Sequence, residues 1–456
     1  MFDDTITAIA TSIGEAGIAV IRISGDDAIK VADRCFSAAG KARLPLAEAP
    51  THTIHFGWLM RGTRRIDEVL VSVLRAPRTF TREDVVEISC HGGAISARMV
   101  LETVLANGAR LAEPGEFTRR AFLNGRMDLT QAEAVADLIH ARSELAVQAA
   151  TAQLSGGLSS RLREIRDELI DPLAHLEAHI DFPDEDIAPD TRIEMGLKLD
   201  RALCRIDALL KTSREGQILR NGIRTVIVGR PNSGKSSLLN RLLGQDRAIV
   251  SPIPGTTRDT IEEVANIRGL PILFVDTAGL RIAESEIEEE GIRRTREVRD
   301  RAELILHVFD GSESLTDEDV KLLDESQDKP SIIVWNKIDL SHRAKLPSDI
   351  NAPLVEISCL TGQGIEALKD AIKDVVWSGA IEAEAVDATI NARHQEALRR
   401  AREGTLLAKG SLDRVESMEF VAMELRIAIG ALGEITGQTT TEDLLDQIFS
   451  RFCIGK

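Results

Sequence analysis

The 456-residue sequence predicts a multidomain protein: an N-terminal α+β domain, a discontinuous all-α domain, and an α/β domain inserted between its two parts. Three patterns predict this. Apolar and polar residues alternate in short runs over residues 1–118, which is typical of half-buried strands. A helical period of three to four residues dominates from about residue 129 to 213 and returns after 379. Between these stretches, short apolar runs alternate with polar turns and helical segments, as in a largely parallel sheet with helices on both faces.

We therefore place the domain bounds at 1–118 for the N-terminal domain, at 119–214 and 379–456 for the two parts of the helical domain, and at 215–378 for the inserted domain. The ends of an inserted domain are expected to lie close together, because the host domain has to remain continuous around them.

The composition limits the classes of function. The chain has 56 Lys and Arg residues against 73 Asp and Glu residues, a net charge of −17, which argues against a broad basic face for nucleic acid or membrane. No run approaches the ~18 apolar residues of a membrane span, and the acidic N-terminus lacks the apolar stretch of a targeting signal. The five cysteines are scattered without a C-x-x-C pair, so we expect a cytoplasmic protein without disulfides or a zinc site.

The N-terminal domain is predicted to contain five strands and a helix. The helix follows His91-Gly92-Gly93 and carries Val100 and Val104 on its apolar face. The five strand-like runs are 6–10, 19–23, 53–59, 69–74 and 85–89.

Two apolar stripes predict helices in the all-α domain. One consists of Leu199, Leu203, Ile206 and Leu210, and the other of Val421, Leu425, Ile429 and Leu432. The acidic run 181–186 favours a solvated turn between helices. Thr440-x-x-Asp443 predicts the capping residue of a last helix at Thr440.

The inserted domain contains a phosphate-binding motif. Five apolar runs predict its strands, 225–228, 272–275, 304–309, 332–335 and 354–357. Directly after the first of them, residues 229–236 match G-x-x-x-x-G-K-[ST], a P-loop in which glycines let backbone N–H groups surround phosphate oxygens. Lys235 would supply charge to the β- and γ-phosphates, and the Ser236 hydroxyl would bind Mg²⁺.

Further motifs indicate that the nucleotide is GTP. Asp276-Thr277-Ala278-Gly279 follows the second strand, where a carboxylate can hold Mg²⁺ through water and the Gly279 N–H can sense the γ-phosphate. Asn336-Lys337-Ile338-Asp339 follows the fourth strand. The Asp339 carboxylate can accept hydrogen bonds from N1–H and the 2-amino group of guanine, which adenine does not offer on that edge. Ser358 follows the next strand, where such Ras-like folds place a loop that contacts the base.

The loop expected to respond to the γ-phosphate is Gly255-Thr256-Thr257-Arg258-Asp259, with Thr257 as the second hydroxyl ligand of Mg²⁺. Many GTPases place a glutamine after D-x-x-G to orient the attacking water. Here that position is Leu280, which cannot hydrogen-bond through its side chain, so another group has to position the water. The residues alone favour reading the acidic run 284–290 as a solvated helix start.

Taken together, these motifs resemble those of the MnmE (TrmE) family of tRNA-modification GTPases, and the resemblance covers essentially the whole chain. Apart from the nucleotide motifs, it rests on the blocks 17–25, 81–93, 114–117, 121–126 and 128–129, and on the terminal Phe452-Cys453-Ile454-Gly455-Lys456. It implies a folate-binding, dimerising N-terminal domain, a discontinuous helical domain and an inserted G domain.

For GTP hydrolysis, the resemblance implies that Glu288 acts through water on the attacking nucleophile, with Lys235 also assigned to catalysis. It implies a K⁺ ion held by the Asn232 side chain and the carbonyl groups of Ser251, Ile253 and Thr256, and G domains that pair across a homodimer. The residues expected to bind GTP are Asn232, Ser233, Gly234, Lys235, Ser236, Ser237, Ser251, Pro252, Ile253, Pro254, Gly255, Thr256, Thr257, Asp276, Thr277, Ala278, Gly279, Asn336, Lys337, Asp339 and Ser358.

For RNA modification, the resemblance implies a tetrahydrofolate one-carbon donor (5-formyl or 5,10-methylene) near Arg22, Glu87, Arg126 and Lys456, with Cys453 as a candidate catalytic thiol. From composition alone these four residues would be ordinary surface charges. The implied task, shared with the FAD protein MnmG in a heterotetramer, is to install a carboxymethylaminomethyl or aminomethyl group at carbon 5 of the wobble uridine of certain tRNAs.

Two other functions are compatible with the G motifs alone. One is a regulatory switch such as a ribosome-assembly GTPase, and the other is a folate-dependent transferase with a regulatory G domain. The N-terminal blocks and the Cys453 tail argue against the first, because assembly GTPases usually carry RNA-binding domains with basic surfaces.

Overall fold

A computed structural model of the chain describes residues 4–39, 45–181, 189–246, 263–275, 300–324, 329–340, 352–377, 389–439, 441–450 and 452–455. The contacts between residues divide the chain into two compact units, Met1–Ala136 with Gly433–Lys456, and Asp137–Leu432. The order of helices and strands gives α+β, all-α and α/β parts, as the sequence predicts. No helix in the described ranges is long and apolar enough to cross a membrane.

The N-terminal part is built on a sheet of seven strands. These are β1 (Ile6–Ile9), β2 (Ile18–Ser24), β3 (Phe36–Ala38), β4 (Thr53–Arg61), β5 (Arg64–Leu74), β6 (Val85–His91) and β7 (Arg110–Leu111). Their order is β3-β4-β5-β6-β2-β1-β7, and only the β1–β7 pair is parallel. All five predicted strands are present. Strands β3 and β7 were not predicted, because they are too short to show an alternation of apolar and polar residues.

One face of this sheet is covered by helices. Helices α1 (Ala28–Cys35) and α2 (Ala94–Ala106) bury residues such as Val31 and Val100 against Val71 and Ile88 of the sheet. The helix predicted after Gly93 is α2, whereas α1 was not predicted. Helix α3 (Glu116–Leu123) follows β7, and its Phe117 packs with Ile6 and Ala8.

A run of helices follows. It contains α4 (Leu129–His140), α5 (Glu144–Leu154), α6 (Gly157–Asp181), α7 (Pro189–Lys211) and α8 (Ser213–Asn221). The predicted stripe on α7 is buried at Leu199, Leu203 and Ile206, but Leu209 takes the fourth place and Leu210 is half-buried. The helical region extends past its predicted end at residue 213, because α8 follows α7. Helix α8 is capped by Gly222, whose φ of 70° suits a residue without a side chain.

The α/β part contains six strands and three described helices. In chain order they are β8 (Ile223–Val228), α9 (Lys235–Asp246), β9 (Glu263–Ile267), β10 (Leu270–Phe274), β11 (Leu304–Asp310), α10 (Asp317–Asp324), β12 (Ser331–Asn336), β13 (Leu354–Glu356) and α11 (Ile365–Val376). The strand order is β13-β12-β11-β8-β10-β9, parallel except for β9. The five predicted strands are present. The additional strand, β9, forms a hairpin through Arg268-Gly269, both at positive φ.

The last helices are α12 (Ala392–Asp413), α13 (Met418–Thr436) and α14 (Glu442–Phe449). The stripe on α13 is buried at Val421, Leu425 and Leu432, whereas Ile429 is half-buried. The predicted cap at Thr440 is wrong by one residue, because the N-cap of α14 is Thr441 and its side chain makes no capping hydrogen bond.

Candidate functional site

The P-loop connects the carboxyl end of β8 with the amino end of α9, in the middle of the parallel sheet. Its two glycines are required because neighbouring atoms lie too close for a side chain. A Cβ atom on Gly229 (φ 151°) would lie 2.1 Å from the carbonyl oxygen of Val308, and one on Gly234 (φ 101°) would lie 2.0 Å from Nδ2 of Asn336. Asn232 is exposed at the bend with a φ of 62°. The loop therefore has the backbone path by which N–H groups surround phosphate.

Lys235 is folded over this loop. Its Nζ donates hydrogen bonds to the carbonyl oxygens of Gly229 at 2.8 Å and Arg230 at 2.7 Å. Burial lowers the pKa of Lys235, because the charged form loses solvation there. A bound phosphate would stabilise the charged form in place of the lost solvation, so the lysine is placed to interact with a polyphosphate. Ser236 and Ser237 follow on the exposed first turn of α9.

Asn336 joins the phosphate side of the site to the base side. This residue, 2% exposed, donates from Nδ2 to the carbonyl oxygen of Ser233 at 2.9 Å. Its Oδ1 accepts from the backbone N–H of Cys359 at 3.0 Å. One side-chain amide therefore holds the P-loop and the loop after β13 together, a role that the N-K-x-D pattern alone does not reveal.

Asp339 and Ser358 form the base-reading pair. The Ser358 hydroxyl, which is fully buried, donates to Oδ1 of Asp339 at 2.5 Å and accepts from the N–H of Thr361 at 3.2 Å. Asp339 itself is exposed. The carboxylate is thus held in one orientation and still presented to a ligand. The structure brings Asn336, Asp339 and Ser358 together beside the P-loop, as their order in the sequence predicts.

Lys337 is held by a partner that the sequence analysis missed. Its Nζ lies 2.6 Å from Oδ2 of Asp310 at the end of β11, and Lys337 has a φ of 68°. Burial of Asp310 acts to raise the pKa of its carboxyl group, but hydrogen bonds from Lys337 and Ser312 outweigh burial and lower it. Asp310 therefore stays charged and fixes the lysine. In the sequence, Asp310 is visible only as an acidic residue at the end of a predicted strand, and no local pattern links it to Lys337.

Two arginines that were also missed hold the loops in place. Arg241 of α9 donates to the carbonyl oxygens of Cys359 at 2.9 Å and Leu360 at 2.8 Å, which fixes the loop that carries Ser358. Arg230 within the P-loop lies 3.1 Å from the buried carboxylate of Asp319. Neither contact follows from sequence spacing.

Several predicted site residues lie outside the described residues. They are Ser251, Pro252, Ile253, Pro254, Gly255, Thr256, Thr257, Asp276, Thr277, Ala278, Gly279, Glu288 and Lys456. The roles assigned to them in binding Mg²⁺, K⁺ and folate and in catalysis stay predictions.

In the N-terminal unit, three of the four predicted folate ligands lie close together. Arg22 and Glu87 are paired across β2 and β6, with guanidinium-to-carboxylate distances of 2.9 and 2.8 Å. The guanidinium groups of Arg22 and Arg126 lie 5.7 and 4.9 Å from the centre of the Phe80 ring. Arg22 and Arg126 therefore lie beside one half-buried aromatic ring, and Glu87 is held next to it through Arg22.

The C-terminal tail belongs to the same unit. Phe452 is buried with Phe449. The Cys453 carbonyl oxygen accepts from the N–H of Gly115 at 3.4 Å. A Cβ on Gly455 (φ 98°) would lie 2.4 Å from the carbonyl oxygen of Ile9, so the tail packs closely against the end of β1. Cys453 itself is half-buried.

Comparison with known proteins gives concordant matches along the chain. Residues 5–126 match the family model of the GTP-binding protein TrmE N-terminus, and residues 129–453 match that of the MnmE helical domain. The chain is 47% identical over 460 residues to the tRNA modification GTPase MnmE of Geobacillus kaustophilus, covering 99% of each chain. It is 48% identical over 462 residues to the protein of that name from Symbiobacterium thermophilum, covering 100% of each.

Among solved structures, the G domain of the T. maritima FeoB iron transporter is 29% identical and aligns with 34% of this chain and 98% of its own. The TM-score of 0.26 is too low to support a structural argument.

Proposed function

The chain belongs to the MnmE family of tRNA modification GTPases, and from this premise we propose that GTP hydrolysis drives modification of carbon 5 of the wobble uridine in certain tRNAs. The chain binds and hydrolyses GTP. The observation that supports this most directly is the Asp339–Ser358 pair, joined through Asn336 to the P-loop, because it combines a guanine-reading carboxylate with a phosphate cradle. The match along the whole chain favours this function over a ribosome-assembly switch.

In the proposed reaction, the P-loop N–H groups and Lys235 bind the phosphates and stabilise the charge that develops on them. Ser236, Thr257 and, through water, Asp276 would hold Mg²⁺, which would offset the negative charge of the phosphates. The Ser236 hydroxyl is exposed at the start of α9, which fits this role. The remaining requirement is a group that positions the attacking water, because Leu280 cannot do so.

We expect Glu288→Ala to bind GTP as tightly as the wild type and to turn it over about a hundredfold more slowly, the loss typical of a missing general base. Binding should be measured with a slowly hydrolysed GTP analogue and turnover by phosphate release. Glu289→Ala is the matched control, since it removes a neighbouring carboxylate to which no role is assigned. Normal hydrolysis by Glu288→Ala would remove Glu288 from catalysis.

A K⁺ ion is proposed to complete the site, where other GTPases insert an arginine finger. The ligands are the Asn232 side chain and the carbonyl groups of Ser251, Ile253 and Thr256. The exposed position of Asn232 at the P-loop bend leaves its amide oxygen accessible to such an ion, and carbonyl oxygens suit K⁺.

GTP hydrolysis is therefore expected to be faster in KCl than in NaCl at equal ionic strength, because Na⁺ is too small for the same carbonyl ligands. Phosphate release should be followed in both salts and in a mixture of them, so that inhibition by Na⁺ is distinguished from activation by K⁺. Equal rates in the two salts would rule out the assignment of Asn232 to a potassium site.

The N-terminal unit is proposed to bind a tetrahydrofolate one-carbon donor. A carboxylate such as Glu87 suits the N–H edge of a pterin, and Arg22, Arg126 and Lys456 suit the glutamate tail. The position of Arg22 and Arg126 beside Phe80 supports this, since an aromatic ring next to two guanidinium groups offers both stacking and charge.

The homodimer is proposed to form through the sheet face opposite α1 and α2. On this face Ile54, Phe56 and Leu70 are 68%, 49% and 45% exposed. Phe56 lies opposite Leu70, and Ile54 lies opposite Ser72, which is itself opposite Glu87. Exposed apolar side chains on adjacent strands favour an interface with a second copy, and their position would place two folate sites near it.

The proposed partner is MnmG, an FAD protein, in a heterotetramer that acts on tRNA. A net charge of −17 leaves this chain poorly suited to bind most of the tRNA phosphates. We therefore assign most of the phosphate contacts to the partner, and the folate chemistry and GTP-driven motion to this chain.

Nucleoside analysis of tRNA tests the proposed function. We expect cells that lack the protein to lose the carbon-5 modification of the wobble uridine, and the wild-type gene to restore it. Cys453→Ser should fail to restore it while hydrolysing GTP normally, if the thiol takes part in the modification. Cys204→Ser is a suitable control, since Cys204 is an exposed thiol to which no role is assigned. Wobble nucleosides unaltered by deletion would contradict the proposal, and full rescue by Cys453→Ser would leave the thiol with a packing role.

A further inference from the structure

A cavity of ≈ 660 Å³ lies in the Asp137–Leu432 unit, at the sheet edge opposite the P-loop. It is lined by Arg224 at the start of β8, by Arg301 and Glu303 just before β11, and by Pro330 just before β12. The other wall is provided by α8 and by the residues around the end of α4. The P-loop follows the carboxyl end of β8, so this cavity and the GTP site are at opposite ends of the same parallel strands.

The lining of the cavity is strongly basic. Among the residues that the structure describes, the lining contains one carboxylate, Glu303, whose Oε2 already accepts a hydrogen bond from the backbone N–H of Arg224 at 3.1 Å. The lining also contains five arginines, which are Arg142, Arg214, Arg220, Arg224 and Arg301. In a chain with a net charge of −17, such a concentration of guanidinium groups in one concavity points to an anionic ligand.

Most of these arginines have no carboxylate partner in the part of the chain that the structure describes. Arg220 is paired with Asp137. No described carboxylate forms an ion pair with the side chains of Arg142, Arg214 or Arg301. Like charges at close range in a concave site repel one another. A ligand with several negative charges would relieve that repulsion and accept hydrogen bonds from the guanidinium groups.

The cavity also has an apolar floor. Ile218, Leu273 and Val376 line it and are buried. Its volume lies within the ~300–1,000 Å³ range typical of small-molecule sites. A floor of this kind suits a flat ring, and a basic rim suits phosphates. An RNA duplex is too wide to enter a cavity of this volume, so the size of the cavity favours a small ligand.

We propose that this cavity is a second ligand site, separate from the GTP site, which binds a nucleotide-sized molecule carrying two or more phosphates. Its phosphates contact Arg214 and Arg301 from the two walls, and its ring lies on the apolar floor. Because α8 and the strand ends form opposite walls, the ligand bridges the helical segment and the α/β sheet. The inference does not depend on the role of the chain in tRNA modification.

ATP is a suitable probe, since Asp339 discriminates against adenine at the GTP site. The full-length chain, with one equivalent of GDP bound at that site and no free excess, should be titrated with ATP by calorimetry. We expect one ATP to bind per chain, and R214A/R301A to weaken it roughly a hundredfold, about tenfold for each charge-assisted hydrogen bond that the substitutions remove. R163A/R399A is the matched control, because it removes two exposed arginines outside the cavity and should bind ATP as the wild type does.

Two results would overturn the proposal: no binding of ATP by the wild type, or equal binding of ATP by the wild type and R214A/R301A. Weaker binding of tRNA by R214A/R301A, with ATP bound as in the wild type, would also overturn it and assign these arginines to RNA. GTP hydrolysis is expected to be unchanged in both double variants, so a failure of the ligand site would leave the proposed function intact.

Discussion

Asp339→Asn is expected to weaken GTP binding by a factor of about 10² to 10⁴. The carboxylate is placed to accept hydrogen bonds from N1–H and the 2-amino group of guanine. Each hydrogen bond to a charged group contributes about 1.5–3 kcal/mol, and about 1.4 kcal/mol corresponds to a factor of ten. An asparagine amide would direct an NH₂ group at the guanine amino group, so that two donors face each other.

The same substitution should improve binding of xanthosine triphosphate, because xanthine carries a carbonyl group where guanine carries the amino group. Both affinities can be measured with fluorescent nucleotide analogues. Asp374→Asn, at an exposed position on α11, is the control and should bind GTP as the wild type does. If Asp339→Asn kept its affinity for GTP, or lost it without gaining affinity for xanthosine triphosphate, Asp339 would not be the base-reading residue.

Arg120→Met is expected to destabilise the N-terminal unit by about 3–5 kcal/mol, the usual cost of breaking a buried ion pair by removing one partner. The Arg120 side chain is fully buried. It lies 2.6 Å from a carboxylate oxygen of Asp4, 3.0 Å from Glu116 and 3.3 Å from Glu83. Methionine keeps most of the volume, so the loss would come mainly from carboxylates left unpaired. Glu83, with a side chain 11% exposed, would be affected most, because Asp4 and Glu116 also pair with Arg110.

Differential scanning calorimetry of the full chain measures this loss. Arg98→Met is the control, since its exposed pair with Glu102 should contribute at most about 0.5 kcal/mol. An equal effect of the two substitutions would show that the buried cluster is not a source of stability.

The pH dependence of stability provides a second measurement on the same cluster. Burial acts to raise the pKa values of Asp4 and Glu116, but hydrogen bonds from Arg110 and Arg120 outweigh it, so both pKa values are lowered. Groups with lowered pKa values stabilise the folded state above their ordinary values of 3.8 and 4.5, and this stabilisation is lost as the pH falls through the folded values. The wild type should therefore lose stability below about pH 4.

The sequence allowed most of the fold to be predicted, and the order of its motifs predicted that Asn336, Asp339 and Ser358 lie together beside the P-loop. The strands around the P-loop are apolar on both faces, so their runs are continuous, and the motifs follow them at strand ends. Contacts between side chains far apart in sequence were not predictable. The pairing of Lys337 with Asp310, and of Arg241 with the carbonyl groups of Cys359 and Leu360, depends on packing that no local pattern encodes.

In the N-terminal unit, too, local patterns predicted strands but not the contacts between residues far apart in sequence. Residues 22 and 87 are far apart in sequence, and only the register of β2 against β6 places them opposite each other. Strand β9 was missed because Arg268-Gly269 is an unusual hairpin pair. The cap of α14 was misplaced because three threonines, 439–441, precede the helix and local chemistry does not distinguish them.

The double attachment of Asn336 has a consequence for nucleotide exchange. Because a single buried amide is bonded to both Ser233 and Cys359, the purine end of the pocket cannot widen without pulling on the triphosphate end. Departure of GDP then requires both ends to loosen in one concerted event. The dissociation rate is therefore expected to depend on how often this amide releases its two partners.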